Sequence, residues 1–123
     1  MAGEITISLS VVGAKGGAVA SVTASNVVDM SATGFDISSQ TYSVVSTGST
    51  AIPVGAVALG GVMVIKNMSS TVSIYVNRGV ATVTSPILVK YGETVMFRTV
   101  SGTAYEAITS SGTALVQVVC FED

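Results

Sequence analysis

The stretch LGGVMVIKNMSSTVSIYVNRG, residues 59–79, carries two apolar runs on either side of a polar corner. In the second run Val72, Ile74 and Val76 alternate with Ser73 and Tyr75, the period-2 pattern of a half-buried strand. Val62 to Lys66 is apolar at every position until the lysine, as expected of a strand covered on both faces. Between them NMSST turns the chain, and Asn67 suits a left-handed or Asx-turn conformation. The stretch therefore reads as strand, turn, strand, with Val62, Val64, Val72, Ile74 and Val76 supplying core.

The same signals extend in both directions. EITISLSV places Ile5, Ile7, Leu9 and Val11 on one side and Thr6, Ser8 and Ser10 on the other. GAKGG, residues 13–17, interrupts the run, and AVASVTA resumes extended structure. SNVVDMSATGFDISS, residues 25–39, is the least regular part; Ser25 or Asn26 could cap a short helical turn over VVDM, or the segment is a loop. QTYSVVS, residues 40–46, alternates again. Further on, PILVK and TVMFR flank YGE, where Gly92 permits positive φ, and TAYEAI and ALVQVVCF flank SSG. Hairpins at this spacing predict a single all-β domain over 1–123, with a less regular part over 1–39 and a hairpin-rich core over 40–123. The expected architecture is an antiparallel β-sandwich of about nine strands, jelly-roll-like, with no helix beyond a turn or two near 26–32. Ile5, Ile7, Leu9, Val64, Ile74, Val95, Phe97, Val116 and Val118 are the expected core.

Composition narrows the chemistry. Of 123 residues, 49% are hydrophobic and 10% charged, against roughly 25% charged in an ordinary soluble domain. Such a surface favours association. A net charge of −2, with Lys15, Lys66, Arg78, Lys90 and Arg98 scattered, offers no footprint for nucleic acid. No histidine is present, so no imidazole-dependent triad or metal site is expected. Asp29, Asp36 and Glu106 could pair as carboxylates, yet no spacing links them. In GAKGG the glycines follow the lysine and lead into a strand, unlike a phosphate loop. The lone Cys120 lies within LVQVVCF and reads as a buried, inert thiol. Asn67-Met68-Ser69 fits a glycosylation sequon, but the turn reading is preferred because MAGEITISL carries no basic region resembling a signal peptide. The longest apolar run, residues 51–65, is shorter than the roughly 20 residues of a membrane helix and contains Pro53 and glycines. Tyr42, Tyr75, Tyr91 and Tyr105 could form a stacking platform, although rim or core packing is the ordinary role of scattered tyrosines. No catalytic, cofactor-binding or metal-binding residue is assigned, and no membrane partner is expected.

The second half resembles small virion structural proteins of tailed bacteriophages. The resemblance rests on IPVGAVALGGVMVIKNMSSTVSIYVNRG, on ILVKYGETVMFR, on AYEAI and on ALVQVVCFED, and spans about residues 40–123. Its motifs are those of a β-fold and carry no chemistry. It implies a non-enzymatic capsid cement or decoration protein on the virion surface, made in the host cytoplasm. The implied partners are the major capsid protein and further copies of the chain, with a homotrimer favoured. A tail or head–tail component, or a module binding a carbohydrate or host receptor, are the alternatives. The uncharged segment from Ile37 to Ile65 is the expected source of contacts between copies.

Overall fold

A computed structural model describes residues 3–30, 37–54 and 61–121. These residues form ten strands and no helix. The first two, β1 (Gly3–Lys15) and β2 (Ala18–Met30), pair antiparallel over their whole length as a two-stranded ribbon. The others are β3 (Ile37–Val44), β4 (Thr50–Ala51), β5 (Val62–Asn67), β6 (Ile74–Arg78), β7 (Ile87–Val89), β8 (Thr94–Arg98), β9 (Tyr105–Thr109) and β10 (Ala114–Phe121). They build two antiparallel four-stranded sheets, ordered β3-β10-β5-β8 and β4-β9-β6-β7.

The sheets face each other across one core, as two amphipathic sheets must if each is to bury its apolar side. The first contributes Val44, Met63, Ile65, Val116, Val118 and Cys120, and the second Ile74, Val76, Val89, Tyr105 and Ala107. Phe97 and Tyr105 meet across the interior with ring centroids 5.3 Å apart.

Three expected hairpins are absent. β5 and β6 lie in different sheets, as do β7 and β8, and β9 and β10. Each intervening turn is an arch that carries the chain over the core. A period-2 pattern requires only that one side of the strand be buried. Pairing side by side in one sheet meets that requirement, and so does facing the neighbour across the core.

The expected core is corrected at the same level. Ile74, Val116 and Val118 are buried, and Val95 and Phe97 pack against the cluster half-buried. Val64 instead occupies the outward position of β5, between the buried Met63 and Ile65. Leu9 and Ile7 belong to the ribbon; Leu9 is 47% exposed and Ile7 half-buried. In place of the helical turn or loop that the sequence allowed near 26–32, strand continues through Met30, because Asn26 to Met30 extend the ladder opposite Ile7 to Gly3; residues 31 and 32 lie outside the described residues. GAKGG supplies the ribbon's two-residue turn. Gly16 and Gly17 have φ of 58° and 83°, the primed-turn geometry that matches strand twist and that side chains resist.

Candidate assembly surface

No convergent polar site emerges from the residues singled out above. Glu106 is on β9, where its carboxylate accepts a hydrogen bond from Ser49 Oγ at 2.5 Å, while the same Oγ accepts from Ala81 N at 2.8 Å. Asp29 sits in β2, and Asp36 lies outside the described residues. No group of three metal-ligating side chains occurs among the described residues.

The tyrosines do not form a platform. Tyr105 is buried in the core, and Tyr42 is half-buried with its hydroxyl enclosed. Tyr75 faces outward on β6, and Tyr91 is exposed in the β7–β8 turn. Burial pushes the Tyr42 hydroxyl well above its ordinary pKa.

Asn67 is a structural pin. It is fully buried at the end of β5, and its Nδ2 donates to Val72 O (2.8 Å) and to Val89 O (3.1 Å). Its Oδ1 accepts from Ser69 N at 3.0 Å, the Asx-turn arrangement. The backbone of the same residue donates to Glu93 O and accepts from Gly92 N. One side chain thus ties the β5–β6 arch to the β7–β8 corner, where Gly92 adopts φ of 76°. The nitrogen that a glycan would need is occupied by both donor bonds, which leaves the sequon a turn.

Cys120 is buried, and loss of solvation pushes its thiol up to about 11. A thiol reagent at pH 8 should modify the native chain far more slowly than the denatured chain; equal rates would contradict the inert role. A raised thiol pKa leaves stability untouched below the unfolded value of about 8.5, and stability should fall as pH climbs from there towards 11.

The outer surface is distinctive for what lies in its rungs. On the first sheet Val119, Val64 and Met96 sit side by side on β10, β5 and β8. On the second, Leu88, Tyr75 and Ile108 do the same on β7, β6 and β9. Met96 and Leu88 are exposed and the other four are half-buried. Lys66 and Arg98 stand on the outward side of the first sheet, and Lys90 follows β7 in a turn. The ribbon adds further exposed apolar side chains: Leu9, Val11, Val12 and Val22 are 47%, 52%, 69% and 61% exposed. Sequence reasoning missed this surface. It assigned alternation to burial inside the chain, and alternation records amphipathicity without naming what covers the apolar side.

These features define a class: an antiparallel β-sandwich with an accompanying β-ribbon and apolar rows on its exterior. Compared with family models, curated proteins and solved structures, the chain matches none.

Proposed function

We propose that the protein is a non-enzymatic virion structural protein, in first place a cement or decoration subunit of a tailed-phage capsid, working by protein–protein contact as a homo-oligomer. The observation that supports this reading most directly is the sparsely charged, partly apolar exterior: the rungs Val119–Val64–Met96 and Leu88–Tyr75–Ile108 and the exposed ribbon. Apolar surface distributed over several faces suits a subunit enclosed by neighbours better than a free monomer. The strand order β3-β10-β5-β8 and β4-β9-β6-β7 sets the first strand of the sandwich beside the last, which supports the jelly-roll reading. The resemblance of residues 40–123 to phage structural proteins points the same way. The major capsid protein is the proposed docking partner.

A closed threefold ring is the proposed assembly, built on the segment from Ile37 to Ile65. That segment includes β3, an eight-residue edge strand, and β4, whose Thr50 is exposed. A Thr50→Lys variant should sediment as a smaller species than the parent at micromolar concentration while keeping its melting temperature, since exposed substitutions shift stability by less than about 0.5 kcal/mol. A parent chain that sediments as a monomer contradicts the ring. The capsid role is tested by adding the chain to phage shells stripped of their minor proteins; co-sedimentation in stoichiometric amount is expected, and none at saturating chain rejects it.

A further inference from the structure

We propose that β3 is a detachable edge strap: it leaves β10 while the rest of the sandwich stays folded, and the enclosed, unpartnered hydroxyl of Tyr42 sets how often it does so. The inference concerns a single copy of the chain and stands apart from the assembly reading above.

β3 has one neighbour in its sheet, β10. Its described side chains bury little. Val44 is fully buried, Gln40 and Tyr42 are half-buried, and Ser39, Thr41 and Ser43 are exposed. β5 by contrast buries Val62, Met63 and Ile65, and β10 buries Ala114, Val116, Val118 and Cys120. Hydrophobic stabilisation follows buried apolar area, so β3 is held by less of it than either interior strand. The other edge of the sheet, β8, is fastened at both ends, where Asn67 N donates to Glu93 O and Thr99 N to Gly61 O, each at 2.9 Å. Among the described residues β3 has a comparable tie only past its C-terminal end, where Thr109 N donates to Val45 O at 3.1 Å. That bond marks the hinge. Segments with few buried apolar contacts open ahead of the global transition.

Tyr42 adds a cost that falls on this strand alone. Its ring packs against the core cluster, and its partner in the register is Val116 of β10. Its hydroxyl is the one buried side-chain polar atom without a hydrogen-bond partner among the described residues. A hydroxyl so placed gives up its bonds to water and gains none, which penalises the closed strand. In the open strand water restores them, so the penalty enters the opening equilibrium directly. The cluster around the ring holds two other titratable groups, Tyr105 and Cys120, and no charged one. Glu106 of β9 alternates with the buried Tyr105 and Ala107 and bonds Ser49 instead.

Cys120 reports the opening without engineering. It is buried on β10, and its partner in the register is Ser38 of β3. Departure of β3 uncovers that flank and lets iodoacetamide reach the thiol. The measurement uses the full chain well below the micromolar range of the sedimentation test, so that contacts between copies do not enter. In low urea the labelling rate should stay nearly flat, because opening one strand exposes little surface, and it should climb only where global unfolding takes over. Tyr42→Phe should slow the flat phase roughly tenfold, since it removes the unpaired hydroxyl from the closed strand. Above about pH 10, where an uncovered thiol is already ionised, the open-strand tyrosine ionises and the enclosed one does not, so closure weakens as pH rises. Labelling of the parent should therefore accelerate above that pH, while that of Tyr42→Phe stays level. In hydrogen exchange the β3 amides bonded to β10 should exchange ahead of those of β5 and β6. Labelling that tracks global unfolding at every urea concentration overturns the strap. A flat phase in the parent that Tyr42→Phe leaves unchanged or speeds up overturns the part given to the hydroxyl.

Discussion

Replacing Asn67 with alanine should lower the stability of the fold by about 3 kcal/mol, the sum of three lost side-chain hydrogen bonds at about 1 kcal/mol each. The mechanism is specific. Asn67 is fully buried and joins three elements through Val72 O, Val89 O and Ser69 N. Truncation removes all three bonds, including the buried one to the Val89 carbonyl. Asn67→Asp keeps the acceptor for Ser69 N but loses both donors and buries a carboxylate, so it should be at least as damaging at neutral pH and recover partly in acid as the carboxyl protonates. Chemical denaturation of the three chains decides the matter. An alanine variant within 1 kcal/mol of the parent would mean that the arch is held by its backbone alone.

Ile74→Ala should be comparably severe, costing roughly 2–5 kcal/mol through lost transfer energy and the cavity left behind. Ile74 is fully buried at the start of β6, paired with Val89 on one side and Thr109 on the other. It packs in the same cluster as Val44, Met63 and Val116 from the opposite sheet, so the cavity opens at the centre of the sandwich. Val64→Ala offers the internal contrast. Val64 alternates with Ile65 along β5 but points outward, and its loss should cost well under half as much. Equal costs for the two would mean that the inward side of β5 is wrongly assigned.

The contrast between Val64 and Ile74 shows where sequence reading reaches its limit. Both stand in β-branched runs, and only the placement of β5 against the second sheet decides which side of an all-apolar strand is inside. The same holds for the ribbon. EITISLSV is the cleanest amphipathic strand in the chain, yet Leu9 and Val11 on its apolar side stay exposed. The polar sequon was legible as a turn from Asn67 and Ser69, yet the reach of its amide to Val89, 22 residues away, follows only from the meeting of two arches.

By itself the sequence determined that the chain is all-β and antiparallel, that extended runs centre on segments such as Val62–Asn67, Thr94–Arg98 and Ala114–Phe121, and that Gly16, Gly17 and Gly92 mark tight turns. Those properties depend on local sterics and on side-chain alternation, both of which act within a few residues. Tertiary structure decided which strands are neighbours, so that three presumed hairpins became arches between sheets and the first strand of the sandwich came to lie beside the last. It also decided that Leu9 and Val11 of the ribbon stay exposed. Pairing partners are chosen by the burial of whole faces across long sequence separations, and a period-2 pattern is the same whichever partner completes the burial.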